Sequence, residues 1–372
     1  MNSQLIPALD PTPIPGPEWL FQGLLVFTFI LHLLFMNLTL GGTILAAIAR
    51  LTARGGEDDH RSALADRLVT INTFGISLTI TTGIAPLLFV QVLFPQFFYT
   101  ATILLGWIWF ALLVSLMVGY YAVYAYKFGR ARAARSRAGG AGWLVAAAVL
   151  FLLVAMTQVA VNLIHAQPEG WADFARSPLL VLGDGAYWPR LLHFVLAALS
   201  LSAGAIAWWS VRQAGKGIAP DLNGRMARYA WRWLLWATVA QIAGGFVLLM
   251  VLPAEVMSGF MRGGAATLVP LGLAILLGLG LLMMLARVTE PVEEPGAVTG
   301  TLAALTLAIA IMAVTRHQIR TIYLAPFTDG LVVPEAAQWG NFLLFAVLLV
   351  AGLATVAFMV RRVLAARVSA AG

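Results

Sequence analysis

Four histidines stand in or at the edge of long apolar runs: His32 in "FILHLLFMNLTLGGTILAAIARL", His165 in "NLIHAQPEG", His193 in "LLHFVLAALSLSAGAIAWW" and His317 in "IMAVTRHQIR". A polar ring in such a place costs free energy unless it has a partner. Imidazole is the commonest nitrogen ligand for iron, and four imidazoles on four helices can hold two b-type haems in pairs, or more haems with methionine or water as second ligand. The plainer reading makes His165 and His317 hydrogen-bonded residues at helix ends. His32 and His193 are harder to explain that way, because they lie inside their runs. The fifth histidine, His60 in "RGGEDDHRS", sits among charges and reads as a solvated loop residue.

The elements that must position these rings are membrane-spanning helices. The chain has 372 residues, 61% hydrophobic and only 10% charged, too much apolar surface for a soluble domain to hide. A span needs roughly 20 apolar residues, and nine stretches qualify: about 19–50, 68–95, 99–127, 142–165, 187–212, 229–252, 266–287, 297–317 and 340–362. At ~1.5 Å per residue, His32 lies about 20 Å along the first helix from Trp19. Basic residues collect in alternate connections: Arg50, Arg54, Arg61 and Arg67; Lys127, Arg130, Arg132, Arg135 and Arg137; Arg212, Lys216, Arg225 and Arg228; and Arg361, Arg362 and Arg367. This pattern predicts an outside N-terminus and an inside C-terminus, the acidic segment "TEPVEEP" being the inside connection that does not contribute. The net charge of +7 is therefore an orientation signal rather than a nucleic-acid footprint. The opening "MNSQLIPALDPTPIPGPEWL" lacks a basic region followed by an apolar core, so no cleavable signal peptide is expected.

Two absences narrow the chemistry. There are no cysteines, which excludes covalent c-type haem, iron–sulfur clusters and disulfides within the chain. No span holds an Asp or Glu in its interior, which counts against a proton pump or an ion-coupled transporter. The polar residues that remain in the spans are Gln91, Gln158, Asn162 and Gln241, with helix-to-helix hydrogen bonding as the default role and a cofactor contact as the alternative.

The sequence resembles subunit I of the cytochrome bd quinol oxidases over most of its length. "HLLFMNLTLGG", His32 to Gly42, is similar to that family's His-x-Leu-Phe-x-x-Leu-Thr-Leu-Gly stretch, whose histidine ligates a haem of the oxygen-reducing pair. "NLIHAQPEG" is similar to the family's Asn-Gly-Trp-Met-Gln-Tyr-Pro segment through Asn162 and Pro168, with His165 where the family commonly has Met. "LLHFVLAALSLSAGAIAWW" looks like the helix whose histidine, matched by His193, ligates the low-spin haem. The long outer loop of the family's quinol site is here only "PAEVMSGFMRGG", and the third span has none of the family's glutamates. "IMAVTRHQIR" aligns through Arg316 and places Ala313 where the family's glutamate ligand stands, with His317 four residues on as its substitute. The seventh-span methionine has no secure counterpart. Met257, Met261, His317 and His165 are the alternatives as partner of His193.

The resemblance implies an all-α polytopic protein of the bacterial inner membrane, one domain over 1–372. Helices one to four (about 19–165) and five to eight (about 187–317) would form two four-helix bundles, with helix nine (about 340–362) peripheral. It implies haem b, with quinone or quinol as the membrane redox partner. The expected activity is electron transfer between the quinone pool and a periplasmic c-type cytochrome or other redox subunit, without oxygen reduction. Arg190, Arg262, Arg316 and Arg320 are candidates to pair with haem propionates, and a quinone site is expected near Glu255 and Arg262. Other membrane subunits are expected as partners. The rival readings are a bd-like scaffold subunit with few or no haems and a transporter using histidines as proton carriers.

Overall fold

The computed structural model describes residues 7, 13–54, 59–133, 140–328 and 334–369. Arg135, Arg137 and most of the opening segment lie outside these residues. The chain is an all-α, multi-pass membrane protein. Among the described residues, nine helices are long and apolar enough to cross a bilayer. In chain order the α-helices are α1 Glu18–Leu51, α2 His60–Leu93, α3 Pro95–Leu105, α4 Trp107–Ala133, α5 Ala141–Ala166, α6 Trp171–Arg176, α7 Tyr187–Gly215, α8 Pro220–Met250, α9 Ala254–Arg262, α10 Ala265–Arg287, α11 Pro295–Thr328 and α12 Trp339–Ser369.

Local chemistry explains the ends. Glu18 in the first turn of α1 and Arg50 in its last oppose the helix dipole. The Asp59 carboxylate accepts the Arg61 N–H at 3.0 Å and caps α2 eight residues before the expected start, so His60 is the first residue of a helix rather than a loop residue. Its ring packs edge-on against Tyr229, 5.8 Å between centroids. The expected third span is divided. Gly106 takes φ +50°, a conformation that L side chains rarely adopt, and separates α3 from α4. The outer segment expected as a short loop between spans six and seven holds the helix α9. α11 continues to Thr328, so His317 lies about three turns inside it instead of at its end. The acidic segment that did not fit the charge pattern has a partner, for Arg228 donates to Glu290 at 2.8 Å.

Hydroxyls in the spans mostly answer to their own helix. Thr28, Thr43, Thr157 and Thr306 each donate to the carbonyl four residues back at 2.7–3.0 Å, which satisfies their own O–H groups in an apolar setting. Between helices, small residues and amides make the contacts. α1 lies centrally, against α2, α5, α7 and α11. Its Gly41 meets the Ala198 backbone of α7, and Ser202 of α7 donates to the Asn37 carbonyl at 3.1 Å. Across the α1–α2 seam the Asn72 amide donates to Thr39 O at 3.2 Å and Thr43 Oγ1 at 3.0 Å, and the Thr39 and Thr79 hydroxyls meet at 2.9 Å. Asn72→Ala removes both amide bonds and is expected to lower stability by about 1 kcal/mol. A denaturant or thermal titration of the purified protein would register the loss, and an unchanged midpoint would refute it.

α12 is exposed along its described length. It is held at its start, where Ile14 N–H donates to Pro334 O at 2.8 Å and Ala336 N–H donates to Ile14 O at 2.9 Å.

Candidate functional site

α7, α8, α10 and α11, closed by α1 and α5, surround a cavity of about 230 Å³. It is hollow because its wall carries small residues where helices would otherwise interlock: Ala197, Gly245, Ala274, Gly278, Ala308 and Ala313. One imidazole, that of His193, lines it. A Cβ on Gly245 would stand 3.2 Å from His193 Cε1, so α8 can pass this ring only without a side chain there. The Gln241 amide nitrogen lies 2.9 Å from His193 Nε2 and donates to it, while His193 Nδ1 and Gln241 Oε1 are buried without partners. Ser200 Oγ and Thr238 Oγ1, also in the wall, are likewise unpaired. These atoms can bond to a group held in the cavity.

One end of the cavity is cationic. Arg190, Arg316 and Arg320 all line it. Arg190 donates to Asn162 Oδ1 at 2.6 Å. The Arg316 guanidinium lies 4.5 Å from the Phe29 ring centre and that of Arg320 5.6 Å from Phe94. The Nε atoms of Arg316 and Arg320 are buried with no partner, and among the described residues none of the three arginines forms an ion pair. Three guanidiniums in an apolar surrounding call for an anion.

The other histidines lie outside this cavity. Arg316 is within electrostatic reach of all three. His32 Nδ1 is 3.1 Å from the Thr79 carbonyl. A carbonyl only accepts, so Nδ1 carries the proton and Nε2 keeps its lone pair, the arrangement in which a histidine ligates a metal through Nε2. Gln22 spends its amide N–H on Glu18 Oε1 at 2.7 Å, so its carbonyl oxygen faces His317 Nε2, also at 2.7 Å. That nitrogen therefore donates, and His317 Nδ1 is left buried with a free lone pair. His165 is 3% exposed between the rings of Phe94 and Phe97, its Nε2 unpaired. Among the described residues no three His, Cys, Asp or Glu side chains converge on one metal position.

The residues expected around the site thus divide. The structure gathers His193, Arg190, Arg316, Arg320, Asn162 and Gln241 around one cavity, with Ala313 in its wall. Gln91 and Gln158 do not line it. The four alternatives named as partners of His193 are not in it either: His317 turns to Gln22, His165 to the phenylalanines, and Met257 and Met261 are on α9, Met261 being 59% exposed. Glu255 and Arg262 are exposed on the same short helix, with Arg262 reaching only Ser258 Oγ at 3.5 Å. Met312, Tyr323, Ser200 and Thr238 line the cavity and were not anticipated. For Met312 a signal existed, since it precedes Arg316 by four residues and so shares its helix face.

With this geometry in hand, one solved structure is informative. The structure of the bd oxidase from Geobacillus thermodenitrificans matches with a TM-score of 0.76, covering 94% of this chain and 100% of that one at 14% identity. The chain has a bd-oxidase fold. No family profile and no curated protein matches the sequence.

A haem fits the residues of the cavity. It needs an apolar slot, an imidazole and cations for two carboxylates, and the helices provide the small-residue walls, His193 and the three arginines.

Proposed function

We propose that the chain is a haem b-binding membrane cytochrome that passes electrons between the quinone pool and a periplasmic redox partner such as a c-type cytochrome. The supporting observation is the His193 cavity ended by Arg190, Arg316 and Arg320. A haem bound there supplies reversible one-electron chemistry at its iron. The chain's own residues do the rest. His193 would offer its Nε2 as a nitrogen ligand once the Gln241 amide, which donates to that atom at 2.9 Å, turns aside for the iron. The arginines take the propionate carboxylates, and guanidiniums suit this because their planar fork meets a carboxylate with two donors. Alanines and glycines leave the space between the helices that the group would fill. His32, fixed as an Nε2 ligand by Thr79, is the first ligand of a second haem.

Oxygen reduction is outside this proposal because it consumes protons, and the span interiors offer no carboxylate to deliver them. A quinone site beside the exposed Glu255 and Arg262 of α9 belongs to the same reading. So do an inner-membrane location and association with other membrane subunits.

A reduced-minus-oxidised absorbance spectrum of the purified chain, with haem extracted and counted per chain, tests the proposal. Two b-type haems without a red d-type band are expected. A chain free of haem would end the proposal and favour a scaffold subunit, and a d-type band would return the chain to the oxidases.

A further inference from the structure

If His193 is one ligand of a haem in this cavity, a second can come from another helix of its wall. The cavity holds one sulfur, Met312 on α11, and no second imidazole. Depth can be compared on the two helices. Arg190 of α7 and Arg316 of α11 stand within electrostatic reach of one another at the cationic end. α7 leaves that end as its residue numbers rise, and α11 approaches it as its numbers rise. His193 is three residues past Arg190, about 4.5 Å deeper at ~1.5 Å per residue. Met312 is four residues before Arg316, about 6 Å deeper in the same direction. The two side chains therefore enter one cavity at nearly one depth, from helices that pack against each other. Of the other uncharged polar groups in the lining, Asn37, Asn162, Ser200, Thr238, Gln241 and Thr315 offer neutral oxygen or amide donors, which hold iron more weakly than a thioether or imidazole does in a haem. Tyr323 stands seven residues beyond Arg316 on α11, past the cationic end.

We infer that Met312 is the second axial ligand of the His193 haem, supplied by the eighth span in place of the methionines of α9 and the histidines that turn elsewhere. The inference rests on the proposed haem reading and assigns a residue within it. His–Met ligation saturates the iron, and a thioether raises the potential relative to a second imidazole. Met312→Leu keeps the volume and removes the sulfur. In the full purified chain it is expected to retain the haem on His193 but to convert its ferric form from low to high spin. The thioether-to-iron charge-transfer band should vanish, and the ferrous form should gain carbon monoxide binding. Met312→His is expected to stay low spin with a lower midpoint potential, and it judges the assignment if the leucine variant fails to fold. Variants that keep their haem with an unaltered spin state and potential would overturn the ligand assignment alone. A wild-type chain without haem would overturn it together with the proposed function.

Discussion

His193→Ala is expected to remove one haem per chain while leaving the helical content unchanged. The cavity has one imidazole, so no neighbour can replace it: His32, His165 and His317 all lie outside the lining. The arginines and Met312 would remain, but carboxylate pairing and a lone thioether hold the macrocycle too weakly to keep it. The substitution also empties space beside Gly245 and strands the Gln241 amide, for which about 2 kcal/mol of destabilisation is reasonable. That is a modest loss beside complete loss of a cofactor, so the two effects separate in measurement. Haem extraction per chain reads the first and circular dichroism the second. A full haem complement in the variant would show that the cavity does not hold iron through this residue.

The largest stability effect is expected at Gly41→Ala. A Cβ there would run into the Ala198 carbonyl oxygen and stand 2.7 Å from the Leu199 nitrogen, both backbone atoms of α7. A side chain could rotate away, but a helix backbone can yield only by moving the helix. Alanine gains about 1 kcal/mol over glycine in helix propensity. Overpacking of a tight core costs about 1–3 kcal/mol and more when backbones must part, so the clash decides the sign. A net loss of about 3 kcal/mol, or failure to accumulate folded protein, is expected. Gly23→Ala on the same helix is the internal control, because nothing lies within 4 Å of its Cβ position. Thermal unfolding in detergent should separate the two variants widely. Equal transition temperatures would mean that α1 and α7 do not approach as closely as described.

Much of this was legible in the sequence, for reasons that also mark where legibility stops. Nine spans follow from run lengths, because each backbone polar group in a bilayer must be satisfied within its own helix. Helix ends were less legible. Hydropathy measures the part in lipid, whereas α2 begins among charges at His60 and α11 runs through "HQIRTIYLAPFT" to Thr328. That extension moved His317 from a helix end into a helix interior, and into the reach of Gln22 on a helix nearly three hundred residues earlier. His193, Asn162, Arg190, Gln241 and Arg316 stood out because each is polar within or beside an apolar run. Met312, being apolar itself, was marked only by its spacing of four residues from Arg316. Its access to the cavity depends on alanines and glycines of other helices, a condition that exists only once those helices are packed.

The hold on α12 has a consequence for how the molecule is made. Its start is joined to the start of α1 by backbone pairing at Ile14 and by Glu18 N–H donating to Glu335 Oε1 at 3.0 Å, across 317 positions of chain. Closing so long a loop is entropically costly and cannot happen before residues 334–336 have left the ribosome. The spans from α1 to α11 can pack while synthesis continues, but this clasp forms only after all of them have been made. It ties the entry of α1 to the segment that leads into α12, and a nascent chain that stops short of that segment cannot make it.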